Sequence, residues 1–375
     1  MRFLLGGYTA DMGGAAEGIG VLHAGSPDDV LAGGELRLGP VAAAAESPSW
    51  LAWHPTLDVV YAAQEGAGTV RAFARTAEER FAPLGEARDA GALVCHVAVA
   101  PDGSSVIASC WGDGRVVAFP LAADGRLGAP RIAPAATDPH AAPEIDPELP
   151  DFSGLTLFGG APAAAPEPHE SAAPDTVSRA HQARFLPGGA IVTTDMGFGL
   201  LRFWRSAGGA LQPTQELVLP RGSGPRHTVW HPSGHLYVVT ELSHEVFVLA
   251  PGSDGRWRVV SAAPIAPGLT GAADFAAEFA LTGDAEHVVV GVRGSNTLAT
   301  LRVRDSGQAV APVALVESGV DWPRHHLIAR DTVLVAGQLS NEVVSLSLDE
   351  RTGVPGRARR RVEAPSPTHL LSDRA

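Results

Sequence analysis

A short unit of two strand-like segments joined by a turn recurs along this chain. One copy, HTVWHPSGHLYVVTE at residues 227–241, has an apolar run, a turn containing Pro and Gly, and a second run rich in β-branched residues. Comparable units occupy residues 50–65, 96–111, 181–195, 278–293 and 325–338. A further strand-like segment such as EVFVLA often follows, and no long helical periodicity competes with it. The repeat predicts an all-β chain.

The spacing of the units indicates how they are arranged. Four steps between the first residues of consecutive units measure 46, 46, 51 and 47 residues. A period near 45 residues with three or four strands per unit is typical of propeller blades. Six units are internal, and the terminal segments FLLGGYT, GIGVLHA and THLL can form a seventh. We therefore expect a seven-bladed β-propeller of mostly four-stranded antiparallel blades, with termini that share one blade and leave no open edge.

One interval of the repeat is too long. The units that begin at residues 96 and 181 are 85 residues apart, and the surplus falls within about 131–178, which is rich in Ala and Pro and acidic. Such a composition does not easily form a core, so we expect a surface loop inserted into a single propeller domain spanning 1–375. Because the loop rejoins the repeat directly before His181, it could also act as a lid.

The apolar runs and the cysteines of the chain indicate where the protein is located in the cell. No apolar run approaches the roughly 20 residues of a membrane span, and the start MRFLLGGYTADMGG has too short an apolar segment for a secretory signal. The two cysteines, Cys95 and Cys110, cannot form a disulfide framework and are expected to be buried thiols that could face each other across a hairpin. We expect a soluble, cytoplasmic protein without a membrane partner, and a monomer by default.

Charge and motifs exclude several classes of function. The net charge of −13 argues against a nucleic-acid partner. All 28 basic residues are Arg, so neither a Schiff-base lysine nor a P-loop lysine is available. No HExxH, paired CxxC or EF-hand spacing occurs, although some of the 14 His residues could meet at a propeller axis. We expect no cofactor and no metal.

Hairpin geometry predicts where the reactive side chains meet. Residues equidistant from a turn lie opposite one another, so the start of the first strand and the end of the second share the non-turn end. Repetition around an axis brings these ends together at one mouth, where their side chains form either a binding site or an inert polar lining. The residues concerned are Trp50 with Glu65, His96 with Trp111, His181 with Asp195, Arg226 and His227 with Glu241, Glu278 with Arg293, His325 or His326 with Gln338, and His369. His54 and His231 precede Pro at the turn ends, so we expect them to be structural.

Several of these segments resemble a known family. GPRHTVWHPSGHLYVVTEL, AAEFALTGDAEHVVVGVRGSNTLATLRV and WPRHHLIARDTVLVAGQLSNEVVSLSL look like segments of the seven-bladed β-propeller lactonases. That family includes a bacterial 6-phosphogluconolactonase and is similar to the fungal 3-carboxy-cis,cis-muconate cyclase. The resemblance carries over to Arg226, His227, Glu241, Arg293, Asn296, His181 and Gln182. The chain departs from the family pattern at Arg179, where a His is usual, at Gly199, where a carboxylate is usual, and at Trp111, where a Tyr is usual.

The resemblance implies hydrolysis of a sugar-acid lactone, which is a small anionic substrate when phosphorylated. The expected catalytic residues are His181, Arg226, Glu241 and Arg293, with Glu241 or His181 as general base and the arginines on the oxyanion and the anionic group. The expected substrate contacts are His96, Gln182, Asp195, His227, Glu278, Asn296, His325 and Gln338. Two alternatives stay open: a lactonising cyclase of the 3-carboxymuconate type that uses the same residues, and a non-catalytic binding module.

Overall fold

The computed structural model describes residues 1–25, 32–141, 177–269 and 273–374. Within these ranges the chain forms 29 strands and two 3₁₀ helices, and it has no helix long and apolar enough to cross a membrane. The strands pair into seven separate antiparallel sheets. The 3₁₀ helices are Ala10–Met12 and Asp305–Gly307.

Strands are numbered in chain order. The first three are β1 (Arg2–Gly7), β2 (Gly18–Ala24) and β3 (Leu36–Ala44). Blade 1 comprises β4 (Pro48–Trp53), β5 (Val59–Gln64), β6 (Thr69–Ala77) and β7 (Arg80–Pro83), with a short β8 (Arg88–Asp89) on β6. Blade 2 comprises β9 (Val94–Val99), β10 (Ser105–Cys110), β11 (Val116–Pro120) and β12 (Arg131–Ile132). Blade 3 comprises β13 (Ala180–Phe185), β14 (Ala190–Asp195), β15 (Leu200–Ala207) and β16 (Ala210–Val218).

The remaining strands complete the ring. Blade 4 comprises β17 (Pro225–Trp230), β18 (Leu236–Thr240), β19 (Glu245–Pro251) and β20 (Trp257–Pro264). Blade 5 comprises β21 (Phe275–Leu281), β22 (His287–Arg293), β23 (Thr297–Arg304) and β24 (Ala309–Glu317). Blade 6 comprises β25 (Pro323–Ala329), β26 (Thr332–Gly337), β27 (Glu342–Asp349) and β28 (Val354–Glu363). The last strand, β29 (Pro367–Ser372), joins the first three as blade 7, in the order β29-β1-β2-β3.

The predicted closure through the termini is confirmed. Strand β29 pairs antiparallel with β1 and places Leu370 opposite Leu5. Just beyond β29, the buried carboxylate of Asp373 forms ion pairs with Arg2 of blade 7 and Arg75 of blade 1. The prediction of seven mostly four-stranded blades is confirmed as well.

The hydrophobic core lies between the blades. Apolar side chains form seven clusters, each between two neighbouring sheets of the ring. In β22, alternation sends Val288 and Val290 towards blade 4 and Val289 towards blade 6, and all three are fully buried. A sheet covered on both faces needs such continuous apolar runs, which explains the β-branched stretches of the sequence.

The predicted insertion is only partly within the described residues. Its first two residues, Arg131–Ile132, form the outer strand of blade 2, so the loop begins after them. Residues 142–176 lie outside the described residues. The single-domain organisation predicted for 1–375 therefore stays a proposal, consistent with seven blades that are complete without that segment.

His54 and His231 lie at the turn ends, as the sequence predicts for structural residues. The Nδ1 atom of His54 accepts hydrogen bonds from the backbone N–H groups of Thr56 and Leu57. The Nε2 atom of His231 lies 3.0 Å from the carbonyl oxygen of Ala285 in the next blade. Both imidazoles therefore stabilise turns, away from the other end of the hairpins.

A β-bulge recurs at one position in the inner strand of every blade. In blade 4, Pro225 lies opposite Thr240 and His227 opposite Val239, so Arg226 is an extra residue without a partner. The same one-residue shift occurs near the start of the inner strand in the other six blades. A bulge re-aims side chains and bends the strand. This bulge separates the side chains of the mouth from those of the axis.

Candidate functional site

A cavity of about 280 Å³ opens at the non-turn ends of the blade hairpins. Its lining comprises Tyr8, Met12, Glu65, Leu93, Cys95, Trp111, His181, Arg226, Glu241, Arg293 and Arg324. All four residues expected to be catalytic are in this lining. Two further members, Cys95 and Arg324, occupy the bulge position that Arg226 occupies in its own blade. The bulge thus directs side chains from several blades into one space.

Glu241 is held by two arginines from neighbouring blades. It follows β18, and its Oε2 atom lies 2.9 Å from Arg226 Nε and 2.6 Å from Arg293 Nη2. The Arg226 and Arg293 side chains are only 5% and 8% exposed. Burial lowers the pKa of Arg293 to about 10, which still leaves its guanidinium charged at neutral pH. Two fixed cations therefore flank one carboxylate oxygen at the cavity wall; we call Arg226, Glu241 and Arg293 the Glu241 cluster.

A second polar cluster lines the same cavity, and of its three residues only Glu65 is predicted from the sequence to lie at the mouth. The Tyr8 hydroxyl donates to Glu65 Oε2 at 3.0 Å and accepts from Arg324 Nη2 at 2.5 Å. The Arg324 Nη2 atom lies 4.0 Å from the same Glu65 oxygen. We call these three residues the Glu65 cluster. A sequence signal for Arg324 exists, because the tripeptide Pro-Arg-His occurs in both GPRHTVW and WPRHHLI and so places an arginine at the same position in blades 4 and 6.

The remaining titratable groups of the cavity are uncharged at neutral pH. Burial, followed by the nearby Arg226 guanidinium, holds the pKa of His181 well below its usual value. Its Nδ1 atom is buried and has no hydrogen-bond partner among the described residues. Burial raises the pKa of the Cys95 thiol to about 12, so it remains protonated. Three guanidinium groups and two carboxylates consequently leave the lining with a single net positive charge, in a chain whose net charge is −13.

The residue after the bulge position belongs to a layer beneath the cavity. This axial layer consists of Trp50, His96, Gln182, His227, Glu278, His325 and His369. The Trp50 ring packs 4.0 Å from the ring of His369 and 4.5 Å from that of His96, measured between centroids. These side chains therefore close the axis of the propeller below the mouth.

Four members of the axial layer accept a backbone N–H from the inner strand of the next blade. These hydrogen bonds are Ala183 N to His96 Nδ1, Thr228 N to Gln182 Oε1, Leu370 N to His325 Nδ1 and Leu51 N to His369 Nδ1. A fifth member, Glu278, lies 3.1 Å from His227 Nδ1 and 3.3 Å from His325 Nε2. The four hydrogen bonds link the inner strands of neighbouring blades and satisfy buried backbone N–H groups, as the interior of a folded protein requires.

None of the eight residues expected to contact substrate lines the cavity. His96, Gln182, His227, Glu278 and His325 are in the axial layer, because the bulge turns each of them away from the mouth. Asp195 accepts hydrogen bonds from Ser178 Oγ and from the N–H groups of Arg179 and Phe198. Asn296 bonds to Asp321 and to the Trp322 N–H, and Gln338 accepts from Arg324. These contacts shape the loops and the walls that surround the cavity.

The departures from the family pattern include one cavity residue. Trp111 is in the lining, and the Arg179 guanidinium lies 3.9 Å from the centroid of its ring, within reach of a cation–π contact. Arg179 Nη1 also donates to the Trp111 carbonyl oxygen at 3.3 Å. Arg179 and Trp111, two of the residues that depart from the family pattern, therefore contact each other. No group of three or more His, Cys, Asp or Glu in the described part of the chain is arranged to hold a metal ion.

Comparisons with known proteins agree with this architecture. A family model described as "Lactonase, 7-bladed beta-propeller" matches residues 2–372. The chain is 26% identical over 275 residues to a 6-phosphogluconolactonase of Bacillus subtilis (strain 168), which covers 70% of this chain and 68% of that protein. A putative 6-phosphogluconolactonase from Bacteroides fragilis superposes with a TM-score of 0.77 at 18% identity, over 99% of this chain and 98% of the other. A periplasmic gluconolactonase from Pseudomonas aeruginosa superposes with a TM-score of 0.75 at 22% identity, over 99% of both chains.

Proposed function

Because the chain belongs to the lactonase family of seven-bladed β-propellers, we propose that its mouth cavity hydrolyses the cyclic ester of a sugar acid, as a 6-phosphogluconolactonase does. The observation that carries this proposal is the Glu241 cluster, a carboxylate beside two buried guanidinium groups in one wall of the cavity. Ester hydrolysis requires a proton acceptor for water and positive charge for the oxyanion, and this cluster offers both.

Glu241 is the better placed of the two candidate bases. Its Oε2 atom faces both arginines, whereas no described residue bonds to its Oε1 atom, which is available to accept a proton from water. Burial and the nearby Arg226 guanidinium hold the pKa of His181 well below its usual value, so its imidazole is neutral at neutral pH, but no described residue orients its Nδ1 atom. We assign Glu241 as the general base and His181 as a polar wall of the cavity.

The two arginines have hydrogen-bond donors left for the substrate. Arg226 uses Nε near Glu241 and Nη1 near His227, and Arg293 uses Nη2 near Glu241 and the Ala276 carbonyl. The Nη2 atom of Arg226 and the Nη1 atom of Arg293 have no partner among the described residues. Donors fixed before the reaction stabilise the tetrahedral oxyanion without reorganisation, and this is the largest contribution in many hydrolases.

The steps balance without a cofactor. Water attacks the lactone carbonyl as Glu241 takes its proton, and Arg226 and Arg293 hold the oxyanion. Collapse of the intermediate breaks the ring C–O bond, and Glu241 returns its proton to the ring oxygen, which becomes a hydroxyl. The new carboxylic acid then ionises and releases its proton to the solvent. The single net positive charge of the lining favours the anionic product and an anionic substituent, which the rest of the chain would repel.

The test is hydrolysis of 6-phosphogluconolactone and glucono-1,5-lactone by the purified protein, followed in a pH-stat against the spontaneous reaction. We expect acceleration with at least one of the two, and a panel of aldonolactones without any acceleration would rule the function out. Loss of the diene absorbance of 3-carboxymuconate in a parallel assay would instead assign the cyclase activity.

A further inference from the structure

We propose that the Glu65 cluster, Tyr8 with Glu65 and Arg324, is the part of the cavity that recognises the hydroxyl groups of the substrate. The inference rests on the proposed lactone hydrolysis and adds to it a specificity-determining subsite. The juxtaposition that carries it is a tyrosine hydroxyl between a carboxylate and a guanidinium group, all three in the cavity lining.

The two clusters belong to different sides of the ring. The Glu241 cluster comes from blades 4 and 5, whereas Tyr8 follows β1 of blade 7, Glu65 follows β5 of blade 1, and Arg324 is in β25 of blade 6. In a closed ring of seven blades, blades 7 and 1, which carry Tyr8 and Glu65, lie across the axis from blades 4 and 5, and Arg324 reaches Tyr8 from blade 6. A substrate whose carbonyl carbon lies at the Glu241 cluster therefore extends its other substituents towards the Glu65 cluster.

The Glu241 cluster and the Glu65 cluster differ in charge, so they suit different groups of the ligand. The Glu241 cluster has two guanidinium groups and one carboxylate, which suits a developing oxyanion. The Glu65 cluster has one guanidinium group and one carboxylate, so it is neutral overall and does not attract an anion. A carboxylate acceptor next to a guanidinium donor matches a hydroxyl group, which both donates and accepts. Hydroxyl groups on neighbouring carbons suit this arrangement.

The cluster is hydrogen-bonded and nearly buried, which makes it selective. The Tyr8 residue is 7% exposed, and the side chains of Glu65 and Arg324 are 8% and 19% exposed. Arg324 is also held from behind, because its Nη1 atom donates to Gln338 Oε1 at 3.3 Å. No described residue bonds to the Oε1 atom of Glu65. A ligand that displaces water here without supplying hydroxyl groups leaves these polar atoms unpaired, and sites of this kind discriminate strongly.

The experiment compares two six-membered lactones that differ only in their substituents: glucono-1,5-lactone, which carries hydroxyl groups, and δ-valerolactone, which has none. The variants are Tyr8→Phe and Glu65→Gln, each close in shape to the original residue. Tyr61→Phe is the matched control, because the Tyr61 hydroxyl is also buried and bonded, to the Gly125 carbonyl at 2.8 Å, but lies outside the cavity. Melting temperatures of all variants show whether each one is folded.

The expected result is a loss of discrimination. Tyr8→Phe and Glu65→Gln should lower kcat/KM for glucono-1,5-lactone roughly 10- to 100-fold, the effect of an unpaired buried hydrogen-bonding group. For δ-valerolactone, kcat/KM should stay within about threefold, since it has no hydroxyl groups to lose contact with. Tyr61→Phe should leave kcat/KM unchanged for both lactones.

Other outcomes separate this inference from the proposed function. An equal loss with both lactones, in folded variants, would overturn hydroxyl recognition and leave lactone hydrolysis standing. If the unmodified protein hydrolyses neither of these lactones nor 6-phosphogluconolactone, the proposed function fails. Calorimetric titration of gluconate and of 5-hydroxyvalerate into the same variants then decides the subsite alone: weaker gluconate binding in Tyr8→Phe and Glu65→Gln supports it, and unchanged binding refutes it.

Discussion

The Glu241 carboxylate provides the most direct test of the site at the scale of single residues. Glu241→Gln keeps the shape of the side chain but removes the proton acceptor, so we expect kcat to fall roughly 10²- to 10⁴-fold with little change in KM. His231→Ala is the control, because it removes a turn contact to Ala285 at the far end of its hairpin. That variant should lose thermal stability and keep its kcat.

Two arginines and one histidine complete the test of the catalytic assignment. Arg226→Ala and Arg293→Ala should each cost on the order of 10²-fold or more in kcat if they stabilise the oxyanion. An effect confined to KM would mark an arginine as a substrate anchor. Full turnover in Glu241→Gln would contradict the assignment of the general base, and lost turnover in His181→Ala with Glu241→Gln unaffected would move that role to His181. Steady-state kinetics with the hydrolysed lactone distinguishes these cases.

At the scale of the strand, the bulge explains why the sequence predicts the fold better than the site. Blade number and closure follow from period and hydrophobic pattern, and a one-residue shift disturbs neither. It does alter which side chains face the mouth: Cys110, expected opposite Cys95, pairs with Val94 because the bulge takes Cys95 out of register. Uniform hairpin pairing therefore placed His96 at the mouth, whereas the bulge places it in the axial layer, one residue beyond the Cys95 of the cavity lining. Glu65, Glu241 and Arg293 were correctly placed at the mouth from the ends of their hairpins, and the repeated Pro-Arg-His marks the bulge position in blades 4 and 6.

A Gln182 variant tests whether the axial layer stabilises the fold or contacts the substrate. Its Oε1 atom accepts both the N–H and the hydroxyl of Thr228 in the next blade, each at 2.7 Å. Gln182→Leu leaves that buried N–H without an acceptor, so we expect the free energy of unfolding to fall by about 1–3 kcal/mol. Denaturant unfolding measures this loss. A raised KM with unchanged stability would show instead that Gln182 contacts the substrate.

At the scale of the whole molecule, the buried histidines predict sensitivity to acid. Burial lowers the pKa of His96, His181, His227, His325 and His369 well below the usual value, and that of His326 to about 4. The unfolded chain therefore binds more protons than the folded one once the pH falls below 6.5, the ordinary histidine value. Each such histidine then costs about 1.4 kcal/mol of stability per pH unit. For His326 the loss continues down to about pH 4.

Urea unfolding at pH 8, 7, 6 and 5 measures this dependence. Stability should be nearly constant from pH 8 to 7 and should fall steeply between pH 6 and 5. His326→Leu removes an imidazole whose nitrogens have no hydrogen-bond partner among the described residues. Below pH 6.5 the free energy of unfolding of this variant should therefore fall less steeply with decreasing pH than that of the unmodified protein, by the equivalent of about one bound proton. Identical stability at pH 7 and pH 5 would contradict the expected link.

The Ala/Pro-rich segment allows a test of the single-domain proposal. All seven sheets are complete without residues 142–172, so a chain lacking them should fold with a melting temperature within a few degrees of the original. Circular dichroism during heating measures this. A large fall in melting temperature would contradict the proposal, whereas a change confined to KM would indicate that the segment acts as a lid over the mouth.

Closure of the ring by β29 has a consequence for when the site comes into existence. Tyr8 is near the start of the chain and Arg324 near its end, and β29 lies between the strands that position them. Every residue of the Glu241 cluster leaves the ribosome before β29 does. Even so, the cavity has a complete wall only after the last strand has docked on β1. A chain that lacks β29 would therefore carry the Glu241 cluster without an enclosed cavity, so the proposed activity would report that β29 has docked on β1.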